Sequence, residues 1–132
     1  MVLCLKTWKS RSLPGFIMKN HIVITGGAGF VGSNLIETIL KDQKKYKIIS
    51  IDNYSSGTVN NHIKSKRVKY IKGNTKNISS LLSKYKNNIK SLYHFGEFSR
   101  IYQSFEFFDK CYESNVIGSK EVFNFCRKIK LS

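Results

Sequence analysis

Residues 21–40 hold the feature that most narrows what this chain can fold into. A short β-rich run, His21-Ile22-Val23-Ile24-Thr25, stops at Gly26-Gly27, and beyond it Val31, Leu35, Ile36, Ile39 and Leu40 recur at helical spacing. The link between them, Thr25-Gly26-Gly27-Ala28-Gly29-Phe30-Val31-Gly32, carries three glycines at G-x-x-G-x-x-G spacing. A strand, a tight glycine turn and a helix in that order begin a βαβ unit. The remaining pattern continues it. Apolar runs at 46–51, 68–71 and 91–95 read as further strands. Residues 53–66 are polar and read as loop with at most one weak helix. Ile78, Leu81, Leu82 and Tyr85 mark a short amphipathic helix. Phe105, Phe108, Tyr112, Val116, Ser119, Phe123 and Cys126 recur every three or four residues, which one long helix over 103–128 explains most simply. Strands that are apolar runs and alternate with helices predict an α/β fold, a parallel sheet covered on both faces and wound by right-handed crossovers.

At 132 residues the chain has room for one domain, and its composition, 41% hydrophobic with a single Pro, is that of a folding chain. No apolar run approaches the roughly 20 residues of a membrane-spanning helix, so no membrane partner is expected. Cys4, Cys111 and Cys126 are odd in number and far apart, which supports neither a disulfide framework nor a metal site and fits a reducing, cytoplasmic setting. Residues 1–18 read as an N-terminal extension, expected to be disordered, ahead of a domain over 19–132. An upstream start before Met18 accounts for them better than an organelle transit segment. The net charge of +15 raises nucleic acid as a partner. The excess is lysine, however, scattered among Asn, Ser and Tyr, with four arginines in all, so a solvated lysine-rich surface is the preferred reading and nucleic acid is disfavoured.

The chemistry suggested by the glycine loop is dinucleotide binding. Gly26 suits the tight turn, Gly29 lets backbone approach a pyrophosphate, and Gly32 lets the helix sit close to the sheet. Phosphates would then lie on the backbone N–H groups at the helix N-terminus. Asp52 closes the second strand about 20 residues beyond the last glycine, where a carboxylate accepts from the adenosine ribose hydroxyls and repels a 2′-phosphate. That favours NAD over NADP.

TGGAGFVGSN, the IDNYSSG after the second strand, the LYHFGE of the fourth and the ESNVIGSKEV of the last helix resemble the extended short-chain dehydrogenase/reductases. Within these the chain is most similar to the N-terminal half of the NAD-dependent epimerase/dehydratase family, the UDP-glucose 4-epimerase-like enzymes. The resemblance covers residues 19–128. It implies a partial Rossmann fold with strand order 3-2-1-4, counted along the domain, and NAD as cofactor. It also implies a nucleotide-sugar enzyme, an isomerase or lyase, that transiently oxidises a sugar at C4. Gly26, Gly29, Phe30, Val31 and Gly32 correspond to the pyrophosphate loop, Asp52 to the ribose carboxylate, and Asn53, Ser55 and Ser56 to the adenosine-side loop. Phe95 and Gly96 correspond to the strand end under the nicotinamide ribose. Asn115 corresponds to the helix Asn that braces the cofactor loop, against the plainer reading of a partly exposed helix residue.

Three departures stand out. The family's G-D-x-x-D is replaced by Gly73-Asn74-Thr75-Lys76-Asn77, leaving Asn74 and Thr75 on the adenine side, where an amide can still hydrogen-bond. Glu97 stands where a small residue is usual, with three placements open to it: paired with Arg100, against substrate, or in solvent. His94 reads as a packed strand-end histidine rather than an acid–base group. Most importantly, no tyrosine in the chain has Lys four residues on, so the Y-x-x-x-K pair that takes the hydroxyl proton as hydride passes to NAD is absent. The chain therefore reads as a fragment without catalytic residues of its own, inactive alone, for which a completing C-terminal half or self-association is the expected partner and sugar nucleotide a ligand of the full-length enzyme. The outer edge of the fourth strand is expected to be unpaired. The alternative is a non-catalytic nucleotide- or polyanion-binding protein.

Overall fold

The computed structural model describes residues 2–4 and 19–131. Its centre is a five-stranded sheet built from β1 (Val2–Cys4), β2 (His21–Thr25), β3 (Lys47–Asp52), β4 (Val68–Lys72) and β5 (Ile89–His94), in the order β1-β5-β2-β3-β4. The pairs β5·β2, β2·β3 and β3·β4 are parallel. Counted from β2, these four strands stand in the order 3-2-1-4 that the family resemblance implies. The helices are α1 (Phe30–Asp42), α2 (Ile78–Leu81), α3 (Ile101–Glu106), α4 (Phe108–Tyr112) and α5 (Ser119–Lys128), with short 3₁₀ turns at Val59–Asn61 and Thr75–Asn77.

Because successive strand residues point to opposite faces, each strand serves two cores. Ile22, Ile24 and Ile48 turn to one face and pack with Ile36 and Ile39 of α1. Val23, Ile49, Ile51, Ile89 and Leu92 turn to the other and pack with Ile78 and Leu82 and with Val122, Phe125 and Cys126 of α5. Burial of this kind contributes about 1.5–3 kcal/mol for each large aliphatic side chain, and it pins strand register, since a slip of one residue would exchange the faces. Arg67 ties the far end of α1 to the sheet, donating to the carbonyls of Leu40 and of Gln43, the latter at 2.9 Å.

Two expectations are corrected. The outer edge of β5 is not bare, because Val2–Cys4 pairs with it antiparallel, Val2 opposite His94 and Cys4 opposite Leu92. The segment read as an extension ahead of the domain thus contributes a sheet strand, and its other residues lie outside those described. Nor is 103–128 one regular helix. Phe107, at φ −113° and ψ 46°, separates α3 from α4, and Glu113–Gly118 is π-helical. Of the residues that carry the three-to-four periodicity, Phe105, Phe108, Tyr112, Val116 and Phe123 are exposed, while Cys126 is buried. The sheet-facing side is Gly118, Val122, Phe125 and Cys126. Gly118 is required there, since a Cβ would lie 2.3 Å from Thr75 Oγ1.

Candidate functional site

The strands β2, β3 and β5 end together at one edge of the sheet, and a cleft of about 430 Å³ opens above them. That is the usual position for ligands in open α/β sheets, beyond the carboxyl ends of strands where the order reverses. The glycine loop forms its floor. Gly26 has φ +71°, and a Cβ on it would meet the Phe95 carbonyl at 2.6 Å, so both conformation and space demand glycine. A Cβ on Gly32 would lie 2.3 Å from the Gly26 oxygen and 2.7 Å from the Gly27 Cα, which is why α1 can start so close to the sheet. At Gly29 a Cβ would meet nothing nearer than the Gly26 oxygen at 3.3 Å, so it would fill open cleft. Gly29 is the N-cap of α1 and no side chain caps it. The first-turn N–H groups of Phe30, Val31 and Gly32 therefore have no partner within the helix, and the positive end of the helix dipole faces the cavity.

At one end of the cleft Asp52 is buried and held from two sides. Its Oδ2 accepts from the Ala28 N–H at 2.9 Å, and its Oδ1 from the Tyr54 N–H at 2.8 Å. Tyr54 has φ 60°, the left-handed conformation that turns its N–H back onto Asp52. Each carboxylate oxygen retains a further lone pair for a ligand hydroxyl. Asn53 accepts from the Ser55 N–H at 2.9 Å, shaping the loop that brings Ser55 and Ser56 to the rim. The Ala28 carbonyl is braced in turn by Asn61 Nδ2 at 2.8 Å and the Thr58 N–H at 3.1 Å.

The other end is built on β5. Thr25 Oγ1 accepts from the Phe95 and Gly96 N–H groups, each at 3.2 Å, and lies 2.6 Å from His94 Nδ1. With two donors already on it, the hydroxyl gives its own proton to Nδ1, so the imidazole carries its hydrogen on Nε2 and donates to Ser119 Oγ at 3.1 Å. Burial pushes the His94 pKa below the usual histidine value, with the nearby Glu97 charge acting the other way. His94 is thus a neutral, fully bonded strut, in keeping with the packed strand-end reading.

All the residues expected at a cofactor site line this cleft except Asn74 and Asn115. Asn74 caps the following 3₁₀ turn, its Oδ1 accepting from the Lys76 N–H at 3.0 Å, and its Nδ2 reaches Glu113 at 3.2 Å. Asn115 clamps Phe98, accepting from its N–H at 2.6 Å and donating to its carbonyl at 3.0 Å. It braces the loop after β5 from behind. Glu97, Ser99, Arg100 and Ser114 also line the cavity, at the β5 end. Asn61 gave no motif signal, its partner being 33 positions away, and Thr25 opens the quoted glycine motif but its role shows only through partners about 70 positions away. Among the described residues no cluster of three or more His, Cys, Asp or Glu could hold a metal.

A doubly wound sheet with a glycine loop, an uncapped helix N-terminus and an acid closing the second strand defines the class as nucleotide-binding α/β proteins of Rossmann type. The model of the NAD dependent epimerase/dehydratase family matches residues 22–132, and the chain belongs to that family. It is 34% identical over 122 residues to a dTDP-D-glucose 4,6-dehydratase of Dictyostelium discoideum, covering 88% of this chain and 27% of that one. Among solved structures it superposes on dTDP-glucose 4,6-dehydratase from Bacillus anthracis in complex with NAD, with TM-score 0.72 and 26% identity over 85% of this chain and 35% of that one. It shares its fold with UDP-glucose 4-epimerase from Thermotoga maritima, at TM-score 0.74 and 23% identity over 84% of this chain and 35% of the other. The chain therefore spans about a third or less of the length of these relatives.

Proposed function

We propose that the chain binds NAD in this cleft, as the cofactor-holding part of an enzyme acting on sugar nucleotides. The observation that carries the reading is Asp52, an acid fixed at the end of the second strand by two backbone N–H groups, one of them from the glycine loop itself. So placed, it accepts from the adenosine ribose hydroxyls. The open N–H groups of Phe30 to Gly32 take the pyrophosphate, and Thr75 lies beside the adenine. The nicotinamide half then runs toward Phe95, Gly96 and the residues after them. Bound there, NAD supplies a hydride acceptor for the C4–H of a hexose. The proton of the C4 hydroxyl needs a base, and these 132 residues contain no Tyr with Lys four positions on. Assayed alone with UDP-glucose and NAD, the chain is expected to give no turnover. A completing C-terminal half would supply that base and the sugar subsite, in a reducing cytoplasmic setting that suits its scattered cysteines.

Calorimetry with NAD and NADP tests the cofactor assignment. NAD is expected to bind at least tenfold more tightly, because a 2′-phosphate would sit against the Asp52 carboxylate, and Asp52→Ala should erase the preference. Tighter binding of NADP would overturn the role given to Asp52.

A second reading rests on the net charge of +15. Lys45 and Lys90 both lie over the Tyr46 ring, 5.0 and 4.7 Å from its centroid, near the amino ends of β3 and β5 and away from the cleft. A polyanion held there would bind with a steep salt dependence. Tight duplex binding at physiological salt without NAD binding would favour this reading over the first.

A further inference from the structure

Of the eight acidic residues in the sequence, two line the cleft, Asp52 at one end and Glu97 at the other. Their situations differ sharply. Asp52 is buried and both its oxygens are engaged. Glu97 is exposed, and neither of the ion pairs among the described residues, Lys41 with Glu37 and Lys76 with Glu113, includes it. Arg100, three residues on, lines the same end of the cleft but directs Nη1 to Gln103 Oε1 at 3.4 Å. A tight turn, the Glu97 N–H donating to the Phe95 carbonyl at 2.8 Å, sets residue 97 directly beyond the strand end. In a chain with 23 Lys and Arg, a carboxylate without a cation at the mouth of the cavity is free to meet charge on a ligand.

Resting on the reading that the cleft holds NAD with its nicotinamide at the β5 end, we infer that Glu97 discriminates between the redox states of the cofactor, favouring the oxidised form. Adenine, both riboses and the pyrophosphate are identical in NAD⁺ and NADH, so the ratio of their affinities reports the surroundings of the nicotinamide ring alone. That ring is a cation when oxidised and neutral when reduced. A carboxylate beside it attracts the first and is indifferent to the second, and by the thermodynamic cycle this same ratio makes the bound cofactor harder to reduce. Arg100, of opposite sign at the same end, acts against Glu97. The family's usual small residue at position 97 would exert no such bias.

The test is titration of the full chain with NAD⁺ by calorimetry and with NADH by its fluorescence, comparing the ratio of dissociation constants between variants. Glu97→Gln, a nearly isosteric change at an exposed position, is expected to shift the ratio about threefold toward NADH, the size of one partly solvated charge interaction. Arg100→Gln should shift it the other way. Glu37→Gln removes the same charge from the exposed face of α1 and should leave the ratio unchanged. An unchanged ratio in Glu97→Gln, or an equal shift in Glu37→Gln, overturns the inference while the cofactor reading stands. Failure of the unaltered chain to bind either form overturns both.

Discussion

The two ends of the cleft are built by different means. At the Asp52 end, backbone does the work: N–H groups of Ala28 and Tyr54 hold the carboxylate, the Ala28 carbonyl is held by Asn61 and Thr58, and the glycine loop is locked at Gly26 and Gly32 by contacts that leave no room for a Cβ. At the β5 end the strand tip is fixed by the buried Thr25–His94–Ser119 chain, but the groups facing the cavity beyond it, Glu97, Ser99 and Arg100, are exposed side chains. A preorganised end loses little entropy when a ligand arrives, whereas an end of free side chains must be ordered by something else. The Asp52 end is held by its own backbone contacts, and the β5 end is a buried strut carrying exposed side chains.

Breaking the first end should have the largest effect. Gly32→Ala forces a Cβ into backbone atoms at 2.3 and 2.7 Å, which no rotamer change relieves. A loss of roughly 3 kcal/mol in denaturant midpoint analysis is expected, together with loss of NAD binding. Thr25→Val tests the strut. The substitution keeps the shape but leaves the Gly96 N–H and the His94 Nδ1 without the hydroxyl, while the Phe95 N–H keeps the Thr25 carbonyl at 3.0 Å, at a cost of about 2–3 kcal/mol.

Acid should act on the same strut. The folded His94 pKa lies below its unfolded value, so the unfolded chain binds the proton first. Stability is then fully present above the ordinary histidine pKa near 6.5 and falls as pH drops below it toward the folded value. His21 is lowered too, by burial first and then by Lys47, and adds to the slope with the same sign. Urea midpoints between pH 7.5 and 5 should therefore decline, and the decline should be shallower in His94→Gln; an unaltered slope would contradict the neutral buried state of His94. The smallest effect on stability is expected on the outer helices, where Phe105→Gln with Phe108→Gln should change it by no more than about 0.5 kcal/mol. Both rings are exposed, so the same pair should instead reduce self-association in size-exclusion chromatography.

Local spacing explains which features were legible in the sequence. The glycine loop, Asp52 and the four parallel strands are each written in a short window, because turn, dipole and apolar run are local devices. The strand Val2–Cys4 is not, since its pairing with β5 joins residues about 90 positions apart and its composition gives no alternation to read. The helical region misled for a different reason. It carries apolar residues on both faces, so spacing alone could not say that Val122, Phe125 and Cys126 face the sheet and Phe105, Phe108 and Phe123 face outward. Asn115 matched a motif, and it bonds the Phe98 backbone rather than lining the cleft.

The contrast between the two ends is tested most directly by splitting the ligand. Calorimetric titration of the chain with ADP-ribose and, separately, with nicotinamide mononucleotide under the same conditions should give ADP-ribose an affinity within about tenfold of that for NAD, because it engages Asp52 and the α1 N-terminus in full. Nicotinamide mononucleotide should bind at least a hundredfold more weakly. Equal affinities for the two halves, or stronger binding of the mononucleotide, would contradict the proposed placement of adenosine at the preorganised Asp52 end.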